Sequence, residues 1–198
     1  MPSLKEIEYY LRGLWLLIFG RAQGFGYLDL SERGAMRSFW AIVWCFPATV
    51  ISWIWWRSAF LSGYPPGTKT GLSFFLRLAM VEAMNWILPL VLAGFLCLFL
   101  GFRQRFFAIV SVTNWLSVPL AYAYAFVVLL AMVLPGMQGL ATLLWLALIL
   151  LLVFSLVRLL RMICGPQPLA VAALTLVLLV PGMFLSSLLQ QYLGVYPV

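Results

Sequence analysis

From Ser38 onward the chain is built of five long apolar runs separated by short polar breaks. They cover about Ser38 to Trp56, Leu78 to Phe102, Phe107 to Leu134, Leu140 to Val157 and Leu169 to Leu189. A helix needs about 20 predominantly apolar residues to cross ~30 Å of hydrocarbon. No water is available there, so each backbone N–H and C=O must be satisfied within the segment, which selects the α-helix for runs of this kind. Composition agrees: 65% of residues are hydrophobic and 9% charged, against about 45–50% and about 25% in soluble domains. Twelve basic and five acidic side chains cannot coat a 198-residue globule. The expected fold class is all-α: a polytopic membrane helical bundle of five transmembrane helices plus an N-terminal interfacial amphipathic helix.

Residues 1–37 form the first expected unit, an amphipathic helix with a polar connection, and residues 38–198 the second, the five-span transmembrane domain. Ser3-Leu-Lys-Glu6 is a capping-box pattern. Leu4, Ile7, Leu11, Leu14 and Ile18 then recur at helical spacing, with Lys5, Glu8 and Arg12 on the other face. Such a helix lies along the membrane interface, or docks on the ends of the spans; the pattern is compatible with both. The apolar stretch Leu14 to Phe19 is too short to cross, and too short for the core of a cleavable signal peptide. Gly20, Gly24 and Gly26 close the helix.

The basic residues set the orientation. Lys5, Arg12, Arg21, Arg33, Arg37, Arg103, Arg105, Arg158 and Arg161 fall in one set of connections, and Arg57, Lys69 and Arg77 in the other. The positive-inside rule places the richer set in the cytoplasm, with the N-terminus, and an odd number of spans sends the C-terminus to the far side. The reading is a bacterial inner (plasma) membrane protein, N-terminus cytoplasmic and C-terminus periplasmic. Trp53, Trp55 and Trp56 at one end of the first span and Trp40 near the other fit the aromatic belts of a bilayer. A net charge of +7 beside apolar spans points to anionic lipid headgroups as partners, not nucleic acid.

The chain contains no histidine, which removes imidazole-ligated haem, most zinc sites and the usual general base. Asp29 is its one aspartate and lies outside the runs; no P-loop, nucleophile elbow or dinucleotide fingerprint is present. Cys45, Cys97 and Cys164 lack CxxC spacing and read as small buried hydrophobes. No catalytic, cofactor-binding or metal residue is expected, no cofactor is expected, and the chain is read as not an enzyme.

Glu82 is the one acidic residue within a run, with Arg77 five residues before it and Asn85 one turn after. An ionisable group in a span is a functional candidate by default. Counting about 20 residues back from Arg103 puts Glu82 at the outer edge of the hydrocarbon, near Arg77 or water, which is the bland reading. Asn114 is a second polar candidate. Thr113, Ser117, Ala121 and Ala125 repeat every fourth residue, a small-residue stripe that allows close helix approach inside the bundle or with a partner. Pro47, Pro89, Pro119 and Pro181 interrupt four spans; the fourth span, with few polar side chains, is expected at the periphery facing lipid.

The amphipathic lead-in, five tightly spaced spans and a third span opening with Asn114-Trp-Leu-Ser-Val-Pro119 resemble the Yip-type family of five-span membrane proteins, in its uncharacterised bacterial branch. Eukaryotic members carry Asp-Leu-Tyr-Gly-Pro before the first span; here Asp29-Leu30 is followed by Ser31-Glu32-Arg33, so no GTPase-binding expectation carries over. The resemblance implies a non-enzymatic integral membrane protein and no site residues. The leading expectation is a scaffold or accessory subunit acting through lipid and helix–helix contacts, with other membrane proteins or a second copy as partners. The alternative is a small-solute or ion transporter or channel using the Glu82, Asn85 and Asn114 region. The topology is checked by fusions: an alkaline phosphatase joined after Val198 is active in the periplasm and one joined at Arg103 is inactive. Activity at Arg103 overturns the map.

Overall fold

In the computed structural model, which describes residues 2–65, 67–68, 70–134 and 136–197, the chain is helical throughout, and no strand occurs among the described residues. Pro66 and Lys69 of the second connection and Pro135 of the fourth lie outside the described residues. Helix α1 spans Leu4–Ile18, and a short 3-10 turn, Ala22–Tyr27, leads to α2 at Glu32–Ser38. Five long helices follow: α3 Ala41–Ser62, α4 Leu72–Phe99, α5 Phe106–Val133, α6 Gln138–Cys164 and α7 Pro168–Tyr192. All five are long and apolar enough to cross a membrane, which makes this a multi-pass helical chain.

The long helices overrun the apolar runs at their charged ends. α3 continues past Trp56 through Arg57, α4 starts before Arg77, and α6 takes in Arg158 and Arg161. Backbone hydrogen bonding gives a helix no reason to stop where the side chains turn polar, and Arg stems can lie along apolar surface with the head free. The connection between α1 and α3, expected as irregular, contains α2. Ser31 Oγ accepts from the Gly34 N–H (3.2 Å) to cap it, and Asp29 accepts from both the N–H and the hydroxyl of Ser31 (3.0 and 2.6 Å). Those bonds hold the Asp29 carboxyl below its ordinary value.

The capping box of α1 forms as the sequence implies: Ser3 Oγ accepts from the Glu6 N–H (3.3 Å) and Glu6 accepts from the Ser3 N–H (2.7 Å). The buried stripe is Ile7, Gly13, Leu14 and Leu17, while Leu4 is left exposed. Of the two placements open from sequence, α1 takes the docked one, lying against α5 and α6. Leu14 and Leu17 pack with Trp115, Leu116 and Leu159, and Tyr10 stacks on Trp115 at a ring separation of 4.8 Å. Two polar ties hold its ends: Arg37 to Glu6 (3.0 Å) and Arg158 donating to the Phe19 carbonyl (3.1 Å). The Ser3 N–H and Arg37 lower the Glu6 carboxyl from its usual range. The outward face still presents Trp15 and Phe19, stacked on each other 4.9 Å apart.

The long helices form an open ring in the order α3, α5, α6, α7, α4, each packed on the next. α3 and α4, neighbours in sequence, do not pack along their length. They meet through aromatic rings at one end, Trp53 near Phe75 (6.4 Å) and Phe60 against Phe74 (5.0 Å). There the chain after α7 closes over them: Trp56 donates to the Val195 carbonyl and Arg77 to the Leu193 carbonyl, both at 2.8 Å. The opposite end, carrying Arg103, Arg105, Arg158 and Arg161, is the basic end. Here Ala93, Cys97, Ile109, Leu160 and Leu174 make a dense core. α6 is wedged between α5 and α7 and leaves Leu143, Leu146, Leu150 and Phe154 exposed, so only one side of it is peripheral.

Gly13 is where α1 meets the 3-10 turn. A Cβ there would stand 2.5 Å from Tyr27 Cβ and 2.8 Å from the Gly24 carbonyl oxygen. Gly13→Val therefore pries the turn from α1, and overpacking of this kind costs about 2 kcal/mol. Thermal unfolding in lipid nanodiscs is expected to fall accordingly, with faster proteolysis at Arg21. An unchanged melting temperature would contradict this docking.

Candidate functional site

Apolar clusters fill the two ends of the ring and leave a cavity of about 330 Å³ between them, walled by all five long helices. α4 supplies Glu82, Asn85, Trp86 and Pro89. These positions are spaced i, i+3, i+4 and i+7, which is one face of a helix. α5 supplies Thr113, Asn114, Ser117 and Ala121, again one face, and α3 adds Cys45 and Thr49 one turn apart. Leucines of α6 and α7, among them Leu156 and Leu178, close the remaining wall.

The polar groups are held by bonds to other elements. Asn85 Nδ2 donates to Ser186 Oγ of α7 at 2.9 Å. Its Oδ1 is buried without a partner. Asn114, only 3% exposed, donates from Nδ2 to Ser38 Oγ (2.8 Å), and Ser38 passes its own proton to the Ala35 carbonyl (2.6 Å). Thr49, Thr113 and Ser117 donate to backbone carbonyls within their own helices, a pattern that leaves the oxygen lone pairs of these hydroxyls for a ligand. Pro89 has no N–H to give to the Asn85 carbonyl one turn back, so α4 is locally underbonded beside the cavity.

α4 runs from Leu72 to Phe99, so it continues about 15 Å beyond Glu82 at ~1.5 Å per residue. Arg77 does not pair with it. Five residues on a helix turn the side chain by about 140°, and Arg77 is taken by the Leu193 carbonyl. Among the described residues the two ion pairs are Glu8–Arg12 and Glu6–Arg37, and no basic side chain lines the cavity. Glu82 is half-buried and shares the cavity with Asn85 and Asn114, the three candidates named from sequence. Ser117 of the small-residue stripe lies beside Cys45 of α3 (Oγ to Sγ 3.6 Å). Thr113, Ser117 and Ala121 line the cavity and Ala125 is buried. The stripe is thus an inner wall of the bundle. Sequence reading missed Cys45 and Thr49, whose only signal is a one-turn spacing of small polar groups inside an apolar run.

What fold and cavity define together is a five-span helical bundle with a polar-accented central chamber. No family model, curated protein or solved structure matches the chain.

The arrangement offers acceptors and little else: a carboxyl group, a buried amide oxygen and hydroxyl oxygens, on an apolar ground. Among the described residues no group of His, Cys, Asp or Glu could hold a metal ion. A structural carboxylate would be paired, and removing its charge would destabilise the protein by several kcal/mol. Glu82 has no such pair. Glu82→Gln is therefore expected to melt within about 0.5 kcal/mol of the parent protein or above it. A loss beyond about 2 kcal/mol would make Glu82 a structural residue.

Proposed function

We propose that the protein is a bacterial inner-membrane transporter of small solutes, with its basic end in the cytoplasm and the central cavity as its binding site. The single observation that carries this reading is the convergence of Glu82, Asn85 and Asn114 on one chamber walled by all five long helices. The scaffold expectation rested on polar residues that seemed scattered; gathered in a cavity near the middle of the bundle, they favour the transporter alternative. Burying a carboxyl and an unsatisfied amide oxygen among apolar side chains costs several kcal/mol, a cost that a packing scaffold has no reason to carry. The Yip-type likeness stays a proposal about layout only.

The packing supplies two bodies for alternating access. α4 is joined mainly to α7, and α3 to α5, which in turn packs on α6, with the chamber between them. Pro89 and Pro181 lie in the first body, Pro47 and Pro119 in the second. Broken helices of this kind flex where transporters need it. Rocking of one pair against the other would expose the chamber first to one face and then to the other, while the clusters at the two ends serve as gates.

Access can be tested without knowing the solute. In a background with Cys45, Cys97 and Cys164 replaced by Ala, Ser117→Cys places one thiol on the chamber wall. A membrane-impermeant methanethiosulfonate is expected to label it when added to either face of oriented vesicles. Protection from both faces, with a Gln104→Cys control labelled from its own side, overturns the transporter reading and returns the protein to the scaffold class.

A further inference from the structure

A second cavity of about 230 Å³ adjoins the first, lying between α3 and α4. Cys45, Thr49, Glu82 and Trp86 line both. The second is otherwise walled by half-buried Trp53 and Ala79 and by Ile42, Phe46, Ala83 and Ile87, which are exposed on the flank of the bundle. This is the break in the ring: α3 packs on α5, α4 packs on α7, and the two are bridged at the end away from the basic loops by aromatic rings and the C-terminal segment. Glu82 stands at the threshold between flank and chamber.

We propose that this cleft is a lateral portal through which the ligand enters from the bilayer, and that the ligand is a membrane-partitioned organic cation, a protonated lipophilic amine, bound by the Glu82 carboxylate. The proposal rests on the transporter reading for its role but on separate observations for its chemistry. A path lined by Ile42, Phe46 and Ile87 offers nothing to a strongly hydrated solute and suits an alkyl or aryl body. Its polar end is defined by what the chamber lacks. Among the described residues no basic group faces Glu82 from any wall: α3 presents Cys45 and Thr49, α4 presents Asn85 and Trp86, α5 presents Asn114 and Ser117, and α6 and α7 present leucines. An anion would meet a carboxylate with no cation to offset it, and a neutral ligand would leave that carboxylate unpaired.

An ammonium group pairs with Glu82 and lies against the Trp86 indole, whose face attracts cations; both side chains line the two cavities. The apolar remainder fills the leucine-lined chamber, whose volume of about 330 Å³ is in the range of small-molecule sites, roughly 300–1,000 Å³. Nine carbons or a fused ring system fit such a space. A quaternary ammonium has no N–H to donate to the Glu82 carboxylate, so the N–H-bearing amine is the favoured class.

The test uses the full chain in phosphatidylcholine nanodiscs at neutral pH with nonylamine, nonanol and nonanoate, three probes of one length and different charge. Nonylamine is expected to raise the melting temperature by roughly 5 °C at saturating concentration, and the other two are not. Glu82→Gln keeps its fold and loses the amine shift. Equal shifts from all three probes, or an amine shift that survives Glu82→Gln, overturn the assigned ligand. Ala83→Phe, which fills the cleft and not the chamber, is expected to slow amine association about tenfold with a smaller effect on the final shift; an unchanged rate overturns the portal. If nonylamine fails while Ser117→Cys is labelled from both faces, the ligand class falls and transport stands. If the thiol is sealed from both faces while nonylamine binds through Glu82, transport falls and the amine site stands.

Discussion

The seam between α3 and α5 sets the geometry of everything else. Ser117 lies against Cys45 and the Ser38–Asn114 bond pins the start of α3 to the same helix, so the two backbones run close over several turns. Small side chains make such an approach possible, and in lipid, where apolar burial gives helices little reason to associate, close packing and interhelical hydrogen bonds drive the pairing. Once α3 is committed to α5, it cannot also cover α4. α4 finds its partner in α7, and the break in the ring follows from those two pairings together.

That break gives the polar residues their meaning. Had α3 and α4 packed as sequence neighbours in a simple up-and-down bundle, Glu82 would face a helix surface and demand a cation from it. Instead it borders two connected cavities with Asn85, and the protein carries an unpaired carboxyl and an unpartnered amide oxygen in an apolar setting. Natural structures keep such uncompensated groups chiefly where a ligand completes them. The surrounding hydroxyls are bonded to their own backbone, so the open acceptors are few and their positions are fixed.

The N-terminal helix contributes by closing the basic end. Its buried stripe covers Trp115, Leu116 and Leu159, and the bonds from Arg37 and Arg158 reach it from α2 and α6. Arg158 also lies over the Phe154 ring at 5.6 Å. α1 is thereby fixed to both α2 and α6. The C-terminal segment plays the corresponding part at the other end. Its carbonyls at Leu193 and Val195 accept from α4 and α3, joining the two bodies where the rings of Phe60 and Phe74 touch. The open flank lies away from that junction, toward the middle of the bundle.

Much of this was legible from residues alone. Five apolar runs determine five long helices, because in hydrocarbon the backbone has no other way to satisfy itself. Ser3 and Glu6 determine where α1 begins, since a capping box needs only residues already adjacent in the chain. Glu82, Asn85 and Asn114 stand out in the sequence as polar groups in apolar surroundings. What sequence could not decide was their association. Arg77, a neighbour of Glu82 in sequence, turns instead to the Leu193 carbonyl. The α1 stripe fits a lipid surface and a protein surface equally, because both are apolar; the packing of Leu14 and Leu17 with Trp115, Leu116 and Leu159 is visible only in the tertiary structure. The runs determine which helices exist. Which of them touch is decided by shape, and shape puts α3 on α5 and α4 on α7, turning three polar residues dispersed over thirty positions into one site.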